Sequence, residues 1–343
     1  MKPLIAIDLG SHNLHIATGS HQKGNLDISA MGSFLLPEGA VYGDRIQNVD
    51  TIAFRLVDAL REMGLTTNKA IIVINAVSAF IKDVDIPSDT KAKDKEAIIT
   101  NELRLNYNIQ DNFVTQYKEI AKDGNNAMLA SYRTVSVDEV HVENCHDVLR
   151  RARLKPLAMD VNLNALDKLL REDISINEKP LNKGATMLVD FGHHSATAYI
   201  YQAEKPLFYR HISAGAGEIE RILSDETLVD LEELRHTKEE GLDLFGEEEK
   251  TRRYYQILKA YFYSINDELR NIIKFYENRY RETKVERIYL FGEGSKLVGL
   301  DSYWESALGV PVEPIRSISS VHLPESNRDP MPFINCFGAL IRY

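Results

Sequence analysis

Two aspartates 182 positions apart, Asp8 and Asp190, each end an apolar run and each precede a glycine by two residues. Ile7-Asp-Leu-Gly-Ser-His-Asn13 stands against Val189-Asp-Phe-Gly-His-His-Ser195. A turn rich in Gly, Ser and Asn gathers backbone N–H groups toward one point, a concavity that suits phosphate oxygens. A carboxylate at the strand end cannot bind phosphate directly, but it can hold a hydrated Mg²⁺ that does. Two such turns facing each other would grip a triphosphate from both sides. Asp8 and Asp190 are then the metal-side carboxylates, and Gly10, Ser11, Asn13, Gly192 and Ser195 the phosphate cradle. One Asp-x-Gly alone is a plain turn; the pair in matching contexts carries the reading.

A third element, Leu290-Phe-Gly-Glu-Gly-Ser-Lys296, places a glycine pair after an apolar run. Gly292 and Gly294 would let a flat ring approach the backbone closely. With Glu293 and Lys296 beside them they form a candidate adenine contact.

These residues need strands to hold them. Leu4 to Leu9, Leu14 to Thr18 and Leu26 to Phe34 read as a three-strand meander. The pattern returns as Thr186 to Phe191, Ala196 to Tyr201, a turn at Ala203 to Lys205, and Pro206 to Ile212. The repeat predicts one hairpin per lobe, each with Asp-x-Gly at its tip. Thr51 to Met63 is an amphipathic helix stopped by Gly64, and Ala70 to Ile74 a buried strand. A charged connection, Ser88 to Glu96, leads into a helix over Ala97 to Tyr107. Tyr132 to Val135 reads as a strand, and Ser136-Val-Asp-Glu139 as a capping box opening a helix that runs to Ala152. Thr251 to Arg281 is one long helix, with Leu258, Phe262, Ile265, Leu269, Ile272 and Tyr276 on one face. A strand at Ile288 to Phe291 and a short closing helix over Pro332 to Arg342 complete an α/β chain.

The 343 residues suffice for two domains or one two-lobed body. Apolar residues make up 44% and charged ones 27%, which excludes a largely disordered chain. The longest apolar runs, such as Ala70 to Ile74, are far too short to span a bilayer. Asp8 within the first ten residues speaks against a secretory signal. A net charge of -10 opposes binding to nucleic acid or anionic lipid. The acid is concentrated between Gly217 and Arg252, where 13 acidic and 5 basic side chains read as a solvated helical face. Cys145 and Cys336, far apart, fit a reducing compartment. The expected location is the cytosol.

Two Asp-x-Gly hairpins, a glycine pair after a late strand and the closing Phe337-Gly-Ala-Leu340 resemble the superfamily of actin, heat-shock chaperones and sugar kinases. Within it the chain looks most like the PilM family of type IV pilus assembly. Leu36-Pro-Glu-Gly-Ala-Val41 with Gly43 and Ile46 is similar to that family's segment after the first meander. Arg151-Ala-Arg-Leu-Lys-Pro156 with Met159-Asp-Val161, and Ser213-Ala-Gly-Ala-Gly217, fit as well. The resemblance implies an actin-like ATPase fold: two lobes, each a mixed sheet flanked by helices, plus a small inserted α+β subdomain. Lobe 1 is expected over 1–80 with 154–180 and 331–343, the insert over 81–153, and lobe 2 over 181–330. It also implies ATP and Mg²⁺ as ligands, with Gly215 and Gly217 among the cofactor-binding residues and Glu232 with Arg235 as a purine-side pair. The partner it implies is a PilN-like membrane protein whose N-terminal cytosolic segment holds the chain at the inner face of the membrane, together with other platform proteins. The groove expected for that segment lies where the insert meets lobe 1, near Ile71 to Ile86.

The chain departs from the family pattern at His193 and His194, where small or hydroxyl residues are usual, and at Glu293 in the adenine turn. Near Asn162 the chaperone-like relatives place a carboxylate or glutamine; an amide can position water but cannot take its proton. Slow hydrolysis is therefore expected. No P-loop motif exists. His141, Cys145 and His146 lack the closer set of four ligands of a zinc site, and the tyrosines from Tyr254 to Tyr280 read as core. A small-molecule kinase on the same fold would need a catalytic carboxylate and a substrate pocket that cannot be assigned. A cell-division protein resembling FtsA would carry a C-terminal amphipathic helix, and the chain stops at Tyr343.

Overall fold

In the computed structural model, residues 3–43, 45–75, 77, 79–120, 128–171, 173–181, 184–202, 205–239, 243–246, 248–281, 283–326 and 328–342 are described. The turn expected at Ala203 to Lys205 falls mostly outside them.

The strand Leu4–Leu9 is buried on both faces, Ile5 and Ile7 in one apolar cluster and Ala6 in another. Ile7 pairs with Ile16 of Asn13–Gln22 in the antiparallel sense and with Ile72 of Lys69–Ile74 in the parallel sense. The full order of this six-stranded sheet is Lys155–Val161, Lys69–Ile74, Leu4–Leu9, Asn13–Gln22, Asn25–Leu35, Val321–His322. The second sheet has five strands, in the order Lys205–Ile212, Ala196–Gln202, Ala185–Phe191, Val285–Phe291, Val312–Pro314. In both sheets the strand that carries the aspartate is central. That places each Asp-x-Gly turn at a strand end walled by neighbours on both sides.

Two helices, Asn162–Leu169 and Ile334–Leu340, lie between the sheets. Leu163, Leu166, Phe337 and Leu340 share one buried cluster with Ala6 and Ala17 of the first sheet and Leu188 and Tyr199 of the second. Every residue of the closing helix is buried. Gly338 is seated so tightly that a Cβ there would lie 2.0 Å from the Ala165 carbonyl oxygen. The long helix Glu249–Arg279 covers the outer face of the second sheet with the six apolar residues that its period singles out.

The insert is a three-stranded sheet, Ala79–Pro87, Leu129–Asp138 and Phe113–Ile120, with the helix Ala92–Tyr107 on one face. Val84, Ile86, Ile99, Leu103 and Tyr132 form its core. The expected capping box does not form. Ser136 stays in the strand, bonded to the Thr115 hydroxyl at 2.8 Å. The helix Glu139–Arg151 starts later, and the Asp138 carboxylate accepts from the Val140 amide at 3.0 Å. Strand pairing with Phe113–Ile120 holds Ser136 extended, and tertiary pairing overrides the local signal.

That helix packs Cys145, Val148 and Leu149 against Leu56 and Ala59 of the first-lobe helix Val49–Glu62, although its numbers fall within 81–153. Val321–His322, numbered within 181–330, pairs with Leu26 and Asp27 of the first sheet. The chain thus returns to the first sheet before residue 330.

Candidate functional site

The two hairpins close alike. The Gly10 amide donates to the Asn13 carbonyl and the Gly192 amide to the Ser195 carbonyl, each at 3.0 Å. A Cβ at Gly10 would come within 2.8 Å of that carbonyl oxygen, which excludes a side chain there, and one at Gly192 within 3.0 Å, a tight contact. The sequence repeat is thus a repeat of geometry.

Behind the second hairpin sits the helix Ala216–Thr227. Its first amides are taken up by the hairpin: Ala216 donates to the Gly192 carbonyl at 2.9 Å and Gly217 to that of His193 at 2.8 Å. Gly215 and Gly217 press against His193; a Cβ on Gly217 would lie 2.3 Å from the imidazole Nε2. These glycines support the turn from behind.

Between the hairpins the two carboxylates converge. The Asn335 side-chain amide donates to Asp8 Oδ2 at 3.0 Å and to Asp190 Oδ2 at 3.2 Å. Burial raises the affinity of both carboxyls for protons; Asp190 is pushed up to about 7, first by desolvation and then by the charge of Asp8, with Asn335 opposing. Nearby, His15 bonds Ser33 Oγ at 2.6 Å and brings its Nε2 to 3.7 Å from Glu293 Oε2. Burial holds that imidazole below its ordinary range, against the pull of Glu293. At the mouth, His12 of the first hairpin stacks on His193 of the second, with centroids 4.1 Å apart and planes 14° from parallel.

The space so enclosed is a cavity of about 90 Å³. Asp8, Gly10, Ser11, Asn13, Asp190, Gly192, Ser195, Gly292 and Glu293 all line it. Gly215, Gly217, Gly294, Lys296, Glu232 and Arg235 do not. Gly292, at φ +87°, leaves room for the Asp190 carboxylate, 2.5 Å from where its Cβ would be. The space beside Gly294 is filled by Ala216 and Phe191 rather than left open for a ring. Lys296 reaches Glu293 at 3.4 Å and Asp329 at 3.6 Å. Arg235, on the helix Leu231–Glu239, donates to the buried Glu220 at 3.3 Å, while Glu232 is exposed on that helix.

Asn335, His12, Asn75 and Thr197 also line the cavity. None of these four stands in a motif that marks it for the site. Asn335 had a usable signal, as the polar residue in the otherwise apolar run Ile334 to Leu340. Asn162 reaches the cavity as well, its Oδ1 accepting from the Leu163 amide at 2.8 Å. His141 and Cys145 lie 4.0 Å apart in the first-lobe core, where burial pushes the thiol up to about 12. No cluster of three or more His, Cys, Asp or Glu suited to a metal occurs among the described residues. Of the cleft's three described carboxylates, Asp8 and Asp190 converge, and such a pair suits Mg²⁺, an ion that usually keeps waters and needs only one or two protein oxygens.

Two sheets, each built on an Asp-x-Gly hairpin, with buried helices between them and a cleft at the hairpin tips, make this an actin-like fold. The solved "PilM-PilN type IV pilus biogenesis complex" superposes with a TM-score of 0.81 at 17% identity, over 98% of this chain and 97% of that one. EutJ, an ethanolamine utilization protein of Carboxydothermus hydrogenoformans, gives 0.57 at 12% identity, covering 99% and 89%. MreB5 of Spiroplasma citri bound to ADP gives 0.52 at 10%, covering 98% and 95%. No curated protein sequence matches the chain. The model of the type IV pilus assembly protein PilM family matches residues 6–329, and the chain belongs to that family.

Proposed function

We propose that the chain is a nucleotide-braced scaffold of the type IV pilus machinery, cytosolic and held at the inner face of the membrane by a PilN-like protein. The observation that carries the nucleotide half is the convergence of Asp8 and Asp190 from two hairpins with matching 3.0 Å closures. Asp8 and Asp190 would hold Mg²⁺ through water, and the turns Gly10 to Asn13 and Gly192 to Ser195 would face the phosphates of ATP. Gly292 and Glu293 stand on the purine side. Mg²⁺, when bound, supplies charge that offsets both carboxylates and the phosphates. Small-molecule pockets usually hold about 300 Å³ or more, so a nucleotide needs more room between the lobes than the cavity of about 90 Å³ gives.

Hydrolysis is slow in this reading. Among the described residues, the carboxylates lining the cavity are Asp8, Asp190 and Glu293. Two of these serve the cation, and the third is engaged by Lys296 and lies beside His15. Turnover is expected far below the roughly 1 per second at the low end of ordinary enzymes. Phosphate release at many per second from the purified chain would overturn this.

The partner half rests on a second cavity, of about 230 Å³, where the insert meets the first lobe. Ile81, Val135 and Val137 form its roof and Met159, Val161 and Leu163 its floor. Phe113–Ile120 is an edge strand of the insert sheet and also lines the cavity, so an extended segment can add a strand there while its side chains enter apolar space. Ile71, Ile72 and Ile74, near which the groove was expected, are core residues at 0%, 2% and 3% exposure. No helix among the described residues is long and apolar enough to cross a membrane. Titration of the N-terminal peptide of a PilN-like protein, with and without ATP and Mg²⁺, should give saturable binding. Absence of binding in both states would remove the partner.

A further inference from the structure

The closing helix Ile334–Leu340 presents one amide among buried apolar residues. The two hydrogens of Asn335 Nδ2 serve acceptors in different lobes, Asp8 of the first sheet at 3.0 Å and Asp190 of the second at 3.2 Å. Its Oδ1 is buried without a partner. The amide is therefore placed for its N–H groups rather than for full satisfaction of its own polar atoms.

Its position is set by the helix, not by the carboxylates. Gly338 seats on the backbone of Ala165, and Lys168 Nζ donates to the Ile341 carbonyl at 3.1 Å and to Asp160 Oδ2 at 2.6 Å. Asn162–Leu169 and the closing helix thus form one rigid pair that carries the amide to the lobe junction. Two carboxylates facing each other in a small buried cavity repel unless positive charge or a donor stands between them. Here the donor is neutral and permanently attached.

We propose that Asn335 is a clasp, a built-in substitute for a cation that ties the two lobes together at the cleft and competes with a divalent ion for Asp8 and Asp190. The competition rests on the Mg²⁺ reading above; the clasp itself does not. A cation or its bound water that takes the two Oδ2 atoms must displace the amide from at least one of them, so the clasped and the cation-loaded arrangements of those oxygens are alternatives of one switch.

The test uses the full chain and no nucleotide. Asn335→Asp places a third carboxylate at the same point. Its melting temperature should fall by several degrees in EDTA and recover in millimolar Mg²⁺, whereas Asn335→Leu should fall without recovery. Asn335→Ala should bind Mn²⁺, followed by electron paramagnetic resonance, about tenfold more tightly than wild type, the worth of a lost charge-assisted hydrogen bond. If the aspartate variant is unfolded in EDTA, refolding on addition of Mg²⁺ supports the clasp and failure to refold counts against it. Equal loss in EDTA and Mg²⁺, or unchanged or weaker Mn²⁺ binding by the alanine variant, would overturn it. Because ATP affinity is not a readout, failure here leaves the nucleotide reading standing, and a chain that binds no ATP can still show the clasp.

Discussion

Asp190→Asn is expected to make the protein more stable in Mg²⁺-free buffer near neutral and alkaline pH, and at the same time to lower its affinity for ATP with Mg²⁺ by about 100-fold, the upper range for losing a group that supports a metal. The stability half follows from the buried carboxyl. Its proton is held more tightly in the folded chain, up to about 7, than at the ordinary value of 3.8. The folded state therefore loses stability as pH rises from about 4 to about 7, and the deficit is full above that range. Each tenfold gain in proton affinity is worth roughly 1.4 kcal/mol, which puts the deficit on the order of 4 kcal/mol. An asparagine still accepts from Asn335 and carries no charge, so the gain should be full at about pH 8 and vanish near pH 4. Asp8→Asn should act in the same direction on both properties. Differential scanning calorimetry across that range and isothermal titration with ATP and Mg²⁺ measure the two halves. A variant that loses stability at about pH 8, or keeps wild-type ATP affinity, would contradict the site. Opposed effects on stability and binding mark residues retained for function at a cost to the fold.

The second large effect concerns packing. Replacing a helix glycine by alanine usually stabilises by about 0.5–1 kcal/mol. Gly338→Ala should do the reverse, by about 3 kcal/mol or more, and lower the melting temperature by about 6 °C or more. The new Cβ would lie 2.0 Å from the Ala165 oxygen and 2.4 Å from its carbonyl carbon. Both are backbone atoms of a buried helix, so no flexible side-chain end can yield. The two helices must separate, and with them the support of Asn335. A melting temperature equal to or above wild type would show that the helix pair is not a rigid element. The same variant should also speed amide exchange at Gly10 and Gly192, whose turns the closing helix braces through the two carboxylates.

Much of this molecule is written in short stretches of sequence. The two meanders follow from largely apolar runs of six to eleven residues broken by Gly, Asn and Ser, and each Asp-x-Gly turn closes on a residue three positions away. The long helix follows from its own apolar period. Such features depend on neighbours in the chain, so the residues themselves determine them, and the repeat of the hairpins makes a two-lobed fold legible from the sequence. Strand ends and the capping box at Ser136 were less legible, because pairing with Phe113–Ile120 decides where Leu129–Asp138 stops. The convergence of the site was not legible at all. Asn335 reaches Asp8 across 327 positions of chain and Asp190 across 145, and no local pattern encodes which polar side chain will lie between two carboxylates. Gly215, Gly217 and Gly294 read as ligand contacts in the sequence, and tertiary packing gives them another task, the close seating of a helix and a loop against His193 and Phe191. Sequence determined which turns could meet a phosphate. Where those turns face each other, and what holds them there, was decided by two helices buried between the sheets, because a cleft is a property of the distance between lobes and only long-range packing sets that distance.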